Sequence, residues 1–240
     1  MSVGRWRGCP PRRTATARTS RRCAHIGSRR SARFGGYRYP CRPAPYDGEV
    51  LLALGVIAGY IVGTFPTAQL VARLAGADDP TTQGSGNPGA SNVYRTAGRR
   101  AGVLVGVIDA LKGAMPVGIA LLIAGRPEAH AVWVAAVAGH VWPLTRWLRG
   151  GKGVATAGGG GLLISPLIGI ACGLLFFAVV KWGRVAALGS LSIAIAFPIV
   201  SAIAGRPGWE VAVGAGVAAI LVVRHQSNIR RLLARDEATV

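Results

Sequence analysis

The chain has 240 residues, 51% of them hydrophobic, with a mean hydropathy of +0.40 and a formal net charge of +19. From Val50 onward the apolar residues come in blocks long enough to cross a bilayer, which takes about 20 residues, and this excludes an ordinary soluble one- or two-domain protein. The arginines sit at the block ends, where they match anionic headgroups rather than the solvated basic face with interleaved aromatics that a nucleic-acid binder needs.

Met1 to Gly48 carry twelve arginines, and the first acid is Asp47. No apolar period and no h-region mark a secretory signal there. The segment reads as a disordered basic arm, an arginine-rich targeting peptide, or the product of a start codon assigned too early; topology favours the third. The division expected is 1–48 as an extension and 49–240 as the membrane domain.

Seven apolar segments follow. They run from Val50 to Leu74, Ala101 to Ala124 and Ala129 to Trp147, then two short ones within Val154 to Trp182, then Val185 to Ala204 and Trp209 to Val223. The stretch "VATAGGGGLLISPLIGIACGLLFFAVVKW" is too long for one crossing, and Ser165-Pro166 predicts a turn at its middle. The fold class expected is all-α, a polytopic membrane protein of about seven helices, some short.

Charge supports that count. With the C-terminus inside, the inside loops hold Arg73, Arg95, Arg99, Arg100, Arg146, Arg149, Lys152, Lys181, Arg184, Arg224, Arg230, Arg231 and Arg235. The outside loops hold only Arg126 and Arg206. This asymmetry follows the positive-inside rule. It also puts the N-terminus outside, which a tail of twelve arginines opposes; hence the preference for a late start.

Three polar loops fall on the inside face. The first, "GSGNPGASNVYR", interleaves Ser85, Asn87, Ser91, Asn92 and Arg95 with Gly84, Gly86 and Gly89. The second, "RGGKG", sets Lys152 between Gly150, Gly151 and Gly153. The third, "RHQSN", holds Arg224, His225 and Asn228, the last two on one face if the helix continues. Glycines let backbone N–H groups converge on an anion, while lysine adds a point charge and arginine a forked donor. The shared face therefore reads as a phosphate site. Gly158 to Gly161 read instead as helix packing. "GGKG" is not a nucleotide P-loop, because Gly153 stands where Ser or Thr is required.

Asp109 and Lys112 lie three apart inside the second segment, either as a structural ion pair or as functional groups. His140 reads as a packing or hydrogen-bonding residue, His130 as incidental, and His225 as a general base or phosphate donor. Cys172 stands alone in an apolar run. No His/Cys/Asp/Glu cluster has metal spacing, so no metal is expected.

At these residues the chain resembles the bacterial acyl-phosphate:glycerol-3-phosphate acyltransferases, polytopic inner-membrane enzymes of phospholipid synthesis. The resemblance covers about Val50 to Glu237 and rests on "GTFPTAQLVAR", "GSGNPGASNVYR", "DALKG", "GHVWPLTRWLRGGKGVAT" and "RHQSNIRRLL" in this order. It implies acyl transfer from acyl phosphate to the 1-hydroxyl of glycerol 3-phosphate, with a cytoplasmic active site and no cofactor. By the same resemblance the Ser85–Asn92 loop and Arg95 handle phosphate, Lys152 with its glycines handles a phosphate of either substrate, and His225 with Asn228 matches the C-terminal active-site pair. Glu237 is retained. A serine usual near Ala187 is missing, which leaves Ser190 as the nearest hydroxyl. The protein is expected to act as a monomer in the bilayer, linked functionally to the enzyme that makes acyl phosphate.

An activated acyl phosphate needs no enzyme nucleophile, so direct attack by the substrate hydroxyl is expected. The runner-up reading is a transporter of a phosphorylated solute, supported by Asp109 and Lys112 but lacking an internal repeat with broken midplane helices. A metal-dependent lipid phosphotransferase lacks its acidic clusters here, and a coenzyme A-dependent acyltransferase its His-x4-Asp pair.

Overall fold

The structure, a computed structural model, describes residues 31–34, 37–40 and 48–239 and falls into two units, Met1–Asp47 and Gly48–Val240. In the first unit, strands β1 (Ser31–Phe34) and β2 (Tyr37–Pro40) pair antiparallel, with Phe34 opposite Tyr37. The reading of Met1 to Gly48 as a disordered or untranslated extension otherwise lies outside the described residues.

The second unit is helical. Its elements are α1 (Gly48–Gly63), α2 (Thr67–Leu74), α3 (Ala90–Thr96), α4 (Arg99–Ile123) and α5 (Arg126–Val141). After a 3-10 turn at Leu144–Arg146 come α6 (Val154–Ile164), α7 (Pro166–Gly183), α8 (Ala186–Ile203), α9 (Gly208–Arg224) and α10 (Gln226–Leu233). Each of the seven sequence segments is matched by a helix. The expected turn lies at Ser165, between α6 and α7. Two boundaries differ from the sequence reading. The first segment is broken between α1 and α2 at Pro66, which has no N–H for the ladder. The third ends at Val141, because Pro143 stops it two residues later.

By length and composition four stretches are able to cross a membrane: Gly48–Leu74, Arg99–Ile123, Pro166–Gly183 and Ala186–Ile203. The pair α9–α10, bent by 59°, makes a fifth if it counts as one span. Helix α5 has 16 residues and α6 has 11, short of the roughly 20 that a full hydrocarbon core requires. Leu122 and Leu167 are 88% and 84% exposed. Such side chains are costly in water and at home in lipid.

Backbones touch where glycines lie. A Cβ on Gly113 would stand 2.0 Å from the Thr156 carbonyl oxygen, and one on Gly159 would stand 2.0 Å from that of Ala110. These two contacts press α4 against α6. Gly63 and Gly139 do the same for α1 and α5, meeting the carbonyls of Ala136 and Tyr60 at 2.2 and 2.1 Å. Small residues at crossings are what lipid-embedded packing uses in place of a hydrophobic driving force. Around this frame α7 packs on α6 and α8, and α8 packs on α9. The core gathers Val117, Val132, Trp133, Val137, Val141 and Leu221.

Polar groups fasten both ends of α6. At its C-terminal end, Arg126 grips Glu210 with two bonds, Nε to Oε1 at 2.8 Å and Nη2 to Oε2 at 2.7 Å. Its Nη1 donates to the Ile164 carbonyl at 3.1 Å, and Arg206 donates to Ser165 Oγ at 2.8 Å. Cations at a helix C-terminus complement its dipole. His130, read from sequence as incidental, sits in this knot with Nδ1 donating to the Arg126 carbonyl at 2.7 Å.

Candidate active site

The other end of α6 opens into a cavity of about 1300 Å³. Its mouth is polar and gathers all three predicted loops. Ser85, Asn87, Gly89, Asn92 and Arg95 line it from the first, Lys152 and Gly153 from the second, and His225, Asn228 and Glu237 from the third. Ser190 and Asp109 also line it. Three glycines of the set, Gly84, Gly86 and Gly153, have positive φ, of +56°, +67° and +80°.

Asn92 is buried and organises the first loop. Its Nδ2 donates to the carbonyls of Pro80 (2.8 Å) and Gln83 (2.9 Å), while its Oδ1 accepts the Ser85 N–H at 2.9 Å. A Cβ on Gly84 would lie 2.4 Å from that same Oδ1, so the loop closes over the amide only with glycine there. The amide of Asn92 is thus fully used in shaping the loop. The side chains of Ser85, Asn87 and Arg95 make no hydrogen bond among the described residues, which leaves them as the donors that face the cavity.

The second loop is held from behind. Gly150 and Gly151 donate their N–H groups to the carbonyls of Val141 and His140, both at 3.2 Å. Arg224 Nη2 donates to the Gly150 carbonyl at 3.0 Å, and its Nε to that of Gly151 at 3.3 Å. Arg224 therefore spends two donors on loop geometry, and Gly150 and Gly151 spend their amides on the end of α5. What the loop presents is Lys152, followed by the N-terminal turn of α6, whose Gly153, Val154 and Ala155 line the cavity. A helix N-terminus beside an ammonium group favours an anion.

Lys152 Nζ donates to Asn228 Oδ1. Asn228 Nδ2 donates to Glu237 Oε1 at 2.6 Å, and Arg231 Nε donates to Glu237 Oε2 at 2.7 Å. This chain fixes the Asn228 amide and sets the ammonium at the mouth. Burial pushes the Lys152 ammonium down to about 8, against the pull of Glu237 and with the help of Arg231, Arg95 and Arg224. His225 stands at the 59° bend between α9 and α10, so the unbroken helix on which it and Asn228 would share a face is not there. Both are buried all the same, and both reach the cavity. His225 Nδ1 lies 2.7 Å from the Leu221 carbonyl oxygen, which only accepts. Nδ1 therefore carries the proton, and Nε2 of the neutral ring holds a lone pair.

Asp109 and Lys112 form a buried ion pair at 2.8 Å, and Lys112 Nζ also donates to the Phe65 carbonyl at 3.2 Å, at the α1–α2 break. Asp109 Oδ1 is 3.9 Å from His140 Nδ1, and that ring nitrogen is 3.0 Å from Thr156 Oγ1. The pair thus joins α4 to the break and to the floor of the second loop. Ser190 Oγ donates to the Ala186 carbonyl at 2.9 Å from inside the cavity wall. Among the described residues no group of three or more His, Cys, Asp or Glu side chains is placed to hold a metal ion.

The sequence reading missed several cavity residues. Arg99, Lys181 and Arg184 line the mouth but served only as topology markers, and Tyr94 was passed over. Their signal was position: Tyr94 adjoins Arg95, Arg99 opens the helix after the first loop, and Lys181 and Arg184 flank the α7–α8 connection. Below the mouth the lining turns apolar, with Cys172, Phe176, Ile193, Ala194 and Phe197 among its residues.

A family model described as "Glycerol-3-phosphate acyltransferase" matches residues 53–235. The glycerol-3-phosphate acyltransferase of Thioalkalivibrio sulfidiphilus is 41% identical over 197 residues, covering 80% of this chain and 95% of the relative. That of Syntrophotalea carbinolica is 44% identical over 186 residues, covering 76% and 94%. Among solved structures, PlsY (YgiH), an integral membrane glycerol 3-phosphate acyltransferase, superposes in its glycerol 3-phosphate form with a TM-score of 0.76 and 33% identity, over 79% of this chain and 96% of that one. Its lysophosphatidic acid form gives 0.74 and 34%, over 79% and 95%. With the three loops converging on one cavity and the match running through nearly the whole helical unit, the chain belongs to the glycerol-3-phosphate acyltransferase family.

Proposed function

We propose that the protein transfers a fatty acyl group from acyl phosphate to the 1-hydroxyl of glycerol 3-phosphate, giving lysophosphatidic acid and inorganic phosphate for phospholipid synthesis. One observation carries the reading: a single cavity joins a cationic, amide-rich mouth to an apolar interior. That combination suits a phosphorylated headgroup and a lipid tail held together. The forms in which PlsY was solved, with glycerol 3-phosphate and with lysophosphatidic acid, support the same pairing.

In this mechanism Arg95, Ser85 and Asn87 take one phosphate, and Lys152 with the α6 N-terminus takes the other. Arg224, Gly150, Gly151, Gly86, Gly89 and Asn92 hold the loops that carry these groups. Two anions are thereby brought into contact with their repulsion shielded. The 1-hydroxyl oxygen attacks the acyl carbon, and the bond from that carbon to the phosphate oxygen breaks. The hydroxyl proton passes to His225 Nε2 and leaves with the phosphate. Lys152 and the helix end stabilise the oxyanion formed on the way. Asn228 and Glu237 are positioning residues, since they act by holding Lys152.

The active face is cytoplasmic and the N-terminal end of the helical unit lies outside, by the charge asymmetry between the loops. The chain acts as a monomer in the bacterial inner membrane and draws its donor from an acyl-phosphate-forming enzyme. The test is phosphate release by purified protein given acyl phosphate and glycerol 3-phosphate, without metal or coenzyme A. Release that needs both substrates is the expected outcome. No release with donors of any chain length would return the reading to a transporter.

A further inference from the structure

We propose that Phe197 is the floor of the acyl-chain channel and sets the length of acyl chain that the enzyme prefers; the inference rests on the acyl-phosphate reading above. The cavity lining stops at one level on three helices. On α6 it runs from Gly153 to Leu162, on α8 from Ala186 to Phe197, and on α9 from Leu221 back to Gly214. Nine residues of α6 at a rise of 1.5 Å make a depth of about 14 Å.

Phe197 is the one large side chain of α8 at that level. Its ring meets Trp133 at a centroid distance of 5.5 Å. Trp133 is itself fixed, buried and donating Nε1–H to the Ala157 carbonyl at 3.0 Å. The ring also has glycine on two sides. A Cβ at Gly161 would lie 3.1 Å from it, and one at Gly214 would lie 3.3 Å away. Width at the floor is thus governed by these glycines, and depth by one aromatic ring backed by another.

What lies behind Phe197 cannot yield to a longer chain. Ser201, the next turn of α8, is buried and donates to the Phe197 carbonyl at 2.7 Å. Beyond it stands the Arg126–Glu210 knot, in which Glu210 is buried. A methylene pushed past Phe197 would have to displace a paired charge from its partners, which costs far more than the methylene gains.

The experiment measures kcat/KM for acyl phosphates of increasing chain length, for the full chain in detergent or lipid. Phe197→Ala is expected to move the optimum to longer chains and Gly214→Leu to shorter ones, each changing the long-to-short ratio about tenfold. Phe197→Leu removes less volume, shifts the ratio the same way as alanine, and serves if the alanine variant does not fold. Because the readout is a ratio, a general loss of active protein leaves it unmoved. An active wild type whose chain profile is the same in all three variants overturns the role of Phe197. A wild type that releases phosphate from no donor overturns the acyl-phosphate reading instead.

Discussion

At the scale of single residues, the proposed mechanism gives Lys152 the charge and His225 the proton transfer. Lys152 titrates at about 8, so its charge is present below that pH and lost above it. The kcat/KM for glycerol 3-phosphate should therefore fall as pH rises through about 8. Lys152→Arg, whose guanidinium stays charged, should abolish that fall while losing part of the activity, because a fork does not replace a point charge held by Asn228. A profile whose descending limb is unchanged in the arginine variant would detach the limb from Lys152. His225→Ala should lower kcat by roughly 10² to 10⁴, the usual share of a general base. Near-normal turnover would give the proton to a substrate phosphate. That Lys152 and the donors of the first loop meet at one cavity was legible in the sequence, because donors and charges interleave with glycines in "GSGNPGASN" and "GGKG". Their division of labour was not. Nothing in the spacing distinguishes Asn92, whose amide is consumed within its own loop, from Asn87, whose amide is open to the cavity.

Among elements, the decisive contact is between α4 and α6. Gly113 and Gly159 let the two backbones meet, and α6 carries Lys152 at its head and the Phe197-facing Gly161 near its foot. Gly159→Leu should destabilise the protein by about 1–3 kcal/mol or more through overpacking, read as a drop in thermal midpoint in detergent. It should also depress activity beyond the loss of folded protein, since α6 shifts the ammonium with it. Gly158→Ala is the control, because nothing lies within 4 Å of a Cβ there. The sequence reading assigned Gly158 to Gly161 to packing as a block. Three of the four do pack closely, against Ala110, Trp133 and Phe197, while Gly158 is open and lines the cavity. Hydropathy likewise concealed the α1–α2 break, since the stretch Gly48–Leu74 is apolar enough as a whole to pass for one crossing despite Pro66. The turn at Ser165-Pro166 was legible because the segment was too long to leave whole.

For the whole molecule, the two ends of α6 differ in kind. The mouth collects cations with a few unpaired donors, whereas at the far end Arg126 and Arg206 are engaged with Glu210, Ile164 and Ser165. The two arginines that counted as outside charges thus have a structural task, which accounts for their presence against the positive-inside trend. A cysteine placed at the exposed Ala204, in the α8–α9 connection, should react with an impermeant thiol reagent added outside cells, and one placed at Ser85 only after the membrane is breached. Reaction of both from the same side would refute the seven-crossing topology. Charge alone suggests an order of crossings, and the shortness of α6 was legible in the length of its segment; the shortness of α5 was not, because it depends on where Pro143 ends the helical ladder.

The three hydrogen bonds of Asn92 have a kinetic consequence. A loop held in shape by its own buried amide does not have to be ordered by the anion that enters it. Its conformational entropy is given up during folding rather than at each encounter, so capture of phosphate need not wait for a rearrangement. Asn92→Ala should therefore show itself first as slower association measured by stopped flow, with the residues that touch the anion all still present.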